Sequence, residues 1–316
     1  MEKKNRTDKR KIGTVILMIL LLALIDVEAY IVFTNDKKIE VLDAEINKID
    51  LQLDEISKKN EELEKNLIVL NEQKDELNSF DEKLASLKEE YFGMLKQLED
   101  KVLAGESSVK IAYLTFDDGP YDNSEKFLDV LEEYDISATF FVLMKCAETG
   151  YVEEDEAYDR VYRRIIESGH TLGNHTRTHK FGDDGVYSSL ERFMYEITSH
   201  REFIYERYGY MTDIMRFPGG SFTSSLAPQI IKELQKLHYA YVDWNVSSGD
   251  GGKVRSPEEF RDIVLTTTNG RKFIVVLMHD YSTNTLLALP EIIEGLAAQG
   301  YSFFPLFYDS YMTEKE

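Results

Sequence analysis

The intervals between apolar residues divide the chain into three parts. An apolar run from Thr14 to Phe33 comes first, and a proline-free segment from Asp36 to about Ala104 follows it. In that segment apolar residues recur at alternating steps of three and four, the period of a helix with one apolar stripe. From Val109 onward, short β-rich apolar runs alternate with longer amphipathic stretches. The pattern therefore predicts a hydrophobic N-terminal segment, a long helix and a globular α/β part.

The middle segment has the heptad pattern of a coiled coil. Asn60 occupies one position of the apolar seam, where a polar side chain sets the register. A second seam begins at Leu77. Joining the two seams through Gln73 gives two steps of three in a row, which predicts local overwinding of a supercoil. We predict a stalk over residues 36–104 that forms a parallel homodimer, although a solvated helical hairpin or a single helix packed on the globular part has the same period. The first seam comprises Ile39, Leu42, Ile46, Ile49, Leu53, Ile56, Leu63, Leu67, Leu70 and Leu77.

The N-terminal apolar run predicts that the rest of the chain is exported. Up to Phe33 it has about the length of 20 residues that a spanning helix needs. Basic residues precede the run and few follow it, which places the N-terminus inside the cell. We predict a cytoplasmic tail over residues 1–12 and an uncleaved anchor over residues 13–33. A cleaved signal peptide, with Val27 and Ala29 before the cut, is the alternative. The basic residues are Lys3, Lys4, Arg6, Lys9, Arg10 and Lys11.

The globular part predicts a parallel sheet, because strands and helices alternate along it. Such a sheet is either open or closed as a barrel, and in both cases the chemistry gathers at the carboxyl ends of the strands. The runs predicted as strands are KIAYLTF, SATFFVLM, MRFP, YAYVDWNV, FIVVLMH and YSFFPLF. The segments predicted as helices are Ser124 to Tyr134, Glu153 to Ser168, Ser188 to Tyr208, Ala227 to Leu237, Pro257 to Thr267 and Leu286 to Gln299.

Charge and cysteine content narrow the class of protein. The formal net charge of −21 argues against a nucleic-acid partner, since phosphates would be repelled. Cys146 is the only cysteine, so the chain forms no internal disulfide.

Two adjacent carboxylates mark the end of the first predicted strand. Asp117 and Asp118 follow the apolar run in LTFDDGP, where two like charges repel each other unless something nearby uses them. His175 and His179 stand four residues apart in GHTLGNHTRTH, the spacing that puts two imidazoles on one side of a helical turn. Together with one of the aspartates they predict a site for zinc or another divalent metal, and the second aspartate stays free beside it. His170 in the same stretch is predicted to be structural.

Further polar residues follow other predicted strands. The Arg216 cation could hold the free aspartate ionised and oriented. A carboxylate paired with His279 would raise the pKa of that histidine and favour the protonated form that a general acid needs. Each residue also has an ordinary packing or capping explanation, but their shared position at strand ends favours a site. The set consists of Arg216, Gly219, Gly220, Asp243, Trp244, Leu277 and His279.

With these motifs in this order, residues 109–307 resemble the polysaccharide deacetylases of carbohydrate esterase family 4, also called the NodB-homology family. TFDDGP is similar to the first family motif, which implies Asp117 as catalytic base and Asp118 as metal ligand. HTRTH is similar to the second motif and implies His175 and His179 as ligands. RFPGG corresponds to the third and implies that Arg216 orients Asp117. Gly219 replaces the usual tyrosine of that motif, so a backbone N–H for the oxyanion can survive while a side-chain contact with the sugar is lost.

The last two motifs complete the resemblance. VDW implies Asp243 as the residue that tunes His279 and Trp244 as a wall of the substrate groove. LMH implies Leu277 in the acetyl pocket and His279 as general acid. The family fold is a distorted (β/α) barrel, expected here over residues 109–309 with a short tail at 310–316.

The resemblance implies metal-dependent removal of N-acetyl groups from a cell-wall polysaccharide. The substrate expected from the predicted location is N-acetylglucosamine of peptidoglycan, and the metal is Zn²⁺, with Co²⁺ or another divalent ion as the alternative. Two other functions fit the residues: ester removal from a polysaccharide such as xylan, and a wall-binding scaffold of weak activity whose stalk is its main feature.

Overall fold

A computed structural model describes the chain over residues 36–144 and 152–314. The predicted tail and anchor, residues 1–12 and 13–33, lie outside these ranges. Among the helices that the structure describes, none is both long enough and apolar enough to cross a membrane.

The predicted stalk is one continuous helix, α1, over Asp36–Ala104. The chain divides into two compact units, one ending at Ser86 and the other running from Leu87 to Glu316. In the first unit the apolar seam lies open to solvent, with Leu63, Leu70 and Leu77 each about three-fifths exposed in the single chain (64%, 61% and 59%). The coiled-coil partner therefore stays a prediction.

The last turns of α1 belong to the second unit, together with the sheet. Leu95 and Val102 are buried, and the ring of Phe92 stacks on that of Phe307 with centroids 4.8 Å apart. The buried carboxylate of Glu99 accepts a hydrogen bond from the hydroxyl of Tyr113 on the first strand. The unit that carries the sheet thus begins about twenty residues before the predicted start at residue 109.

The sheet is parallel in every strand pair and has the order β5-β4-β3-β2-β1-β7-β6, with β8 paired to the start of β1. It is a curled, open half-barrel whose path ends at β5 and β6. Within the described residues its strands are β1 Lys110–Asp117, β2 Thr139–Val142, β3 Thr171–Asn174, β4 Ile214–Met215, β5 Ala240–Tyr241, β6 Val246–Ser247, β7 Phe273–His279 and β8 Tyr301–Phe303. The helices after α1 are α2 Ser124–Glu133, α3 Val152–Glu167, α4 Leu190–Tyr208, α5 Ala227–Lys236, α6 Pro257–Thr267 and α7 Thr283–Ala298.

Alternation along the central strands separates two cores. On β1, Leu114 and Phe116 point into the core beneath the flanking helices, while Ile111 and Tyr113 point into the curled interior. The end of α1 contributes Val102 to this interior core. Because side chains alternate in a strand, the next inward positions after Tyr113 are Thr115 and Asp117. The interior is therefore apolar at the start of β1 and polar at its carboxyl end.

The predicted elements agree with the structure where the apolar pattern is long. The runs predicted for β1 and β7, and the helix predicted at Pro257 to Thr267, coincide with the observed elements to within a residue. The prediction of one strand over YAYVDWNV is wrong, because the run contains two strands at opposite ends of the sheet. Its first part, β5, pairs with β4, and its second part, β6, pairs with β7. The four-residue strand β3 was not predicted, since TLGN has neither length nor apolar alternation.

Candidate active site

Strand register brings the polar residues to one edge of the sheet. Asp117 is paired in register with His279 of β7, so the two lie side by side at the ends of neighbouring strands. Asn174 of β3 is paired with Met215 of β4, which places the following residues, His175 and Arg216, next to each other. Residues that are distant in the sequence therefore converge because parallel strands end at the same edge.

Asp118, His175 and His179 form a cluster with the composition of a metal site. The Nε2 atoms of both histidines lie 3.4 Å from Oδ1 of Asp118, and the three candidate ligand atoms lie within 4.8 Å of one another. Asp118 has a φ of 71°, a left-handed conformation directly after the end of β1. Its Oδ1 atom is buried and has no hydrogen-bond donor. An orphaned carboxylate oxygen facing two imidazoles fits a divalent cation, and two histidines with one carboxylate are ligands that zinc accepts.

The tautomer of His175 also fits a ligand role. Its Nδ1 lies 2.8 Å from the carbonyl oxygen of Arg216, which can only accept, so Nδ1 carries the proton. The Nε2 lone pair is then directed at Asp118. A ring fixed through its second nitrogen is typical of metal-binding histidines.

The loop that joins the two histidines is not helical, so the predicted helical turn is wrong. Thr176 and His179 both have positive φ, at 72° and 55°. The side chain of Asn174 accepts a hydrogen bond from the Thr176 N–H, and Glu196 accepts one from the Thr178 N–H. These side chains satisfy the backbone in place of helical hydrogen bonds, and the two rings still approach to 4.8 Å between centroids.

The histidines around Asp118 keep it ionised. Burial by itself raises the pKa of Asp118, but the imidazoles of His175, His179 and His279, whenever they carry a positive charge, hold that pKa well below its usual range. An ionised carboxylate is the form that binds a cation.

Asp117 is held by a buried arginine. Its Oδ1 accepts a hydrogen bond of 2.8 Å from Nη1 of Arg216, whose side chain is fully buried. Arg216 is fixed in turn, because Nη1 also donates to Oγ1 of Thr115 at 2.7 Å and Nε donates to the carbonyl of Val242 at 3.1 Å. The second oxygen of Asp117 lies 3.6 Å from Nε2 of His175, beside the candidate metal ligands. This arrangement leaves one carboxylate oxygen directed at the site.

His279 pairs with Asp250, a residue outside the predicted set. Oδ1 of Asp250 lies 2.7 Å from Nδ1 of His279, and Oδ2 accepts from the His279 N–H at 2.9 Å and from the Thr285 hydroxyl at 2.7 Å. Burial lowers the pKa of His279, but the hydrogen bond and charge of Asp250, with the charges of Asp117 and Asp118, outweigh it and raise the pKa to about 9. Protonated Nε2 then faces Asp118 Oδ2 at 3.9 Å.

The assignment of Asp243 as the partner of His279 is therefore wrong. Both Asp243 carboxylate oxygens accept from Ser221, one from its N–H and one from its hydroxyl. The contact fixes the turn that contains Gly219, where φ is 73°. Among the hydrogen bonds of the described residues, none is donated by the Gly219 N–H. Asp243 thus supports the turn that carries a candidate oxyanion donor.

A cavity of about 570 Å³ lies above these groups. Leu277 and Trp244 line it, as predicted, and Trp244 contacts the ring of Phe222 edge-on at 5.8 Å between centroids. The side chain of Phe222 is 74% exposed at the rim. Other residues in the lining, none of them predicted, are Phe181, Ser247, Gly249, Gly251, Gly252, Lys253, Arg255 and Tyr281.

The remaining histidines are structural. His170 is buried, its Nδ1 accepts from the Ala138 N–H at 3.0 Å, and burial lowers its pKa to about 4, which confirms the structural role predicted for it. His200 is also buried and contacts the side chain of Asn174.

Asp250 escaped prediction because it lies three residues beyond the end of β6. The sequence pattern favours the carboxylate in VDW, but the run that contains VDW is divided between two strands. The segment SGD, which follows β6 directly, carries the signal: a lone acid after small residues at the end of a strand.

Comparison with known proteins agrees with this geometry. The profile of the family described as polysaccharide deacetylase matches residues 104–242. YheN of Bacillus subtilis, named only provisionally as a polysaccharide deacetylase, is 33% identical over 66% of this chain and 71% of its own. The peptidoglycan-N-acetylmuramic acid deacetylase PdaA of Bacillus subtilis is 29% identical over 74% of this chain and 81% of its own. The catalytic domain of a peptidoglycan N-acetylglucosamine deacetylase from Eubacterium rectale superposes with a TM-score of 0.58 at 32% identity, covering 65% of this chain and 92% of that one.

Proposed function

The chain belongs to the polysaccharide deacetylases of carbohydrate esterase family 4, and from this premise we propose that it hydrolyses N-acetyl groups of peptidoglycan, at N-acetylglucosamine, with Zn²⁺ as its metal. One observation carries the proposal. A carboxylate held by arginine and a histidine held by carboxylate stand side by side at the edge of the Asp118, His175 and His179 cluster. Amide hydrolysis needs both a base for the attacking water and an acid for the leaving amine.

Asp118, His175 and His179 would hold the metal. When bound, the ion would polarise the acetamide carbonyl and make a water more acidic. The ordered Nδ1–H of His175 and the ionised carboxylate of Asp118 preset the ligands for this task.

Asp117 acts as the general base. Arg216 occupies its Oδ1, so Oδ2, which lies on the side of His175, is the oxygen that accepts the proton of the attacking water. Because the arginine keeps its proton at all working pH values, the pair cannot neutralise itself by proton transfer.

His279 acts as the general acid. Its Nδ1 is engaged by Asp250, so the proton on Nε2 is the one delivered to the amine nitrogen as the carbon–nitrogen bond breaks. Acetate and a free amino sugar are the products. The Gly219 N–H, held in its turn by Asp243, donates to the oxyanion of the tetrahedral intermediate.

The test is an acetate-release assay on three substrates, peptidoglycan, N-acetylglucosamine oligomers and acetylated xylan, with metal analysis of the purified protein. Acetate from the first two, with about one zinc per chain, supports the proposal. Acetate from xylan alone would instead assign the esterase activity. The Eubacterium rectale relative is named for N-acetylglucosamine and PdaA for N-acetylmuramic acid, so the position of the freed amine is read by mass spectrometry of the digested glycan.

We also propose that the protein is held at the membrane through residues 13–33, with its catalytic unit outside. The support is the basic flank and apolar length of that segment. Fractionation of cells should leave the chain in the membrane pellet at full length. Recovery of a form that begins near residue 30 in the medium would favour the cleaved signal peptide.

The exposed seam of α1 supports a parallel homodimer. A chain starting at Asp36 should sediment as a dimer, and one starting at Leu87, where the second compact unit begins, should sediment as a monomer. A monomeric form of the longer chain would remove the dimer from the proposal.

A further inference from the structure

The cavity above the active site has a cationic side whose charge the reaction does not use. Apart from the candidate metal ligands, Asp117 and His279, the charged residues that line the cavity are Lys253 and Arg255. Both belong to the segment of residues 249–255 that follows β6, here called the cationic loop. Their presence at the mouth of the site is notable in a chain whose net charge is −21.

Arg255 builds the loop. Its Nη1 donates to the carbonyl oxygens of Gly249 at 3.0 Å and Lys253 at 3.2 Å, and its own carbonyl accepts from the side chain of Asn284 at 2.8 Å. At its start the loop is tied to the active site through Asp250, which binds His279. The loop is therefore fixed at both ends relative to the reacting groups.

Lys253 of the cationic loop lies in the lining of the cavity. It is exposed, and within the described part of the chain its ammonium group has no hydrogen bond or ion pair. Gly251 and Gly252, which precede it in the loop, also line the cavity and add no side chain to it. A Cβ at Gly251 would lie 2.7 Å from Cε1 of His279. The lack of a side chain at Gly251 therefore leaves the ring of His279 uncovered on the side of the loop that carries Lys253.

We infer that Lys253 is a specificity residue that binds a carboxylate carried by the glycan beside the acetamide being hydrolysed. The inference rests on the proposed function, since peptidoglycan carries sugar and peptide carboxylates among its acetamides, whereas oligomers of N-acetylglucosamine carry none. An ammonium group at the mouth of the site recognises such a group as a point charge. Its effect should be on productive binding of charged glycan, since Lys253 is placed at the rim and the proton transfers belong to Asp117 and His279.

The test compares one glycan in two forms: a peptidoglycan fragment with free carboxylates, and the same fragment with those carboxylates converted to methylamides. The measured quantity is the ratio of kcat/KM for the charged form to that for the neutral form. Lys253→Gln should lower this ratio by about two- to fivefold, the range expected for an exposed charge pair. Lys253→Arg should keep most of the ratio, because the charge remains.

Lys236→Gln is the matched control. Lys236 lies at the end of α5, away from the cavity, and pairs with Glu233, so its replacement should leave the ratio at the wild-type value. Raising the salt concentration should lower the ratio for wild type and leave it nearly constant for Lys253→Gln.

The outcomes separate the inference from the proposed function. If wild type hydrolyses both forms with equal kcat/KM, or if Lys253→Gln keeps the wild-type ratio, the inference is wrong while deacetylation stands. An equal drop for Lys236→Gln would also overturn it, since the effect would then come from overall charge. If wild type releases acetate from neither form, the proposed function fails and the inference fails with it.

Discussion

The two sides of the candidate active site are each built from a buried carboxylate and a cation, yet they present opposite members to the cavity. On one side Asp117 binds Arg216, and on the other Asp250 binds His279. Each pair is braced by a buried threonine, Thr115 on the arginine and Thr285 on the second aspartate. The difference lies in which member faces the cavity: the carboxylate in the first pair and the cation in the second.

The comparison shows how the partner sets the role of a titratable group. An arginine does not release its proton, so in the Asp117 pair only the carboxylate can take part in the proposed proton transfer. A histidine can release its proton, and a carboxylate bonded to its other ring nitrogen sets the pH range over which the imidazole remains charged. Two similar pairs, with opposite members facing the cavity, thus support the proposed base and the proposed acid on neighbouring strands.

The largest effect is expected from disabling the base side. Asp117→Asn keeps an oxygen for Arg216 but cannot take the proton of water, so kcat should fall by about 10³-fold, within the range found for general bases. Acetate release from N-acetylglucosamine oligomers measures it. Asp122→Asn, at an exposed residue of the same loop, should match wild type. A loss of less than tenfold for Asp117→Asn would assign the base elsewhere.

Disabling the acid side should cost less and depend on the leaving group. His279→Ala should lower kcat on an acetamide by about 10²-fold, because an amine must be protonated to leave. On an aryl acetate, whose leaving group departs without a proton, the loss should be much smaller. Equal losses on both substrates would show that His279 is not the acid.

The pH dependence of kcat should show that Asp250 controls the acid side of the site. His279 must be protonated to act and its pKa is raised to about 9, so activity should persist below that value and fall as the pH rises through it. Asp250→Asn removes the hydrogen bond and charge that raise this pKa, so the alkaline limb of the kcat profile should move to lower pH. Asp243→Asn serves as the control, since Asp243 binds Ser221 and should leave the limb in place. A shift in Asp243→Asn but none in Asp250→Asn would reverse the corrected assignment.

The smallest effect concerns the brace on the base side. Thr115→Val preserves shape but removes the acceptor for Nη1 of fully buried Arg216. The free energy of unfolding should fall by about 1–3 kcal/mol, the cost of losing a hydrogen bond to a buried charge. Urea unfolding of residues 87–316 measures it. An unchanged midpoint would show that Arg216 does not depend on Thr115.

Much of this site could be predicted because its residues sit at the ends of long apolar runs. Asp117 and His279 close the two central strands, whose apolar pattern is unmistakable, so their meeting followed from parallel register. Arg216 was paired with the free aspartate on the same reasoning, and the structure confirms that contact. The metal cluster was predicted in composition, although its histidine loop is not helical.

What escaped prediction depends on loops and tertiary contacts. Asp250 and Asp243 are seven residues apart, and only the division of one apolar run into β5 and β6 decides which of them reaches His279. The burial of Leu95 and Val102 could not be distinguished from a coiled-coil seam, because both produce the same helical period. Local sequence determines the period of a helix and the end of a strand. Which residue a side chain then contacts is determined by the packing of elements that are distant in the sequence.

The central claim is the division of labour between adjacent aspartates, and metal content tests it most directly. Asp118→Asn and Asp117→Asn are purified side by side and their bound zinc is measured per chain. Asp118 faces both histidines and its replacement should remove the metal, whereas Asp117, held by Arg216, should be replaceable with about one zinc retained. Equal zinc in the two variants, or loss from Asp117→Asn alone, would contradict the account.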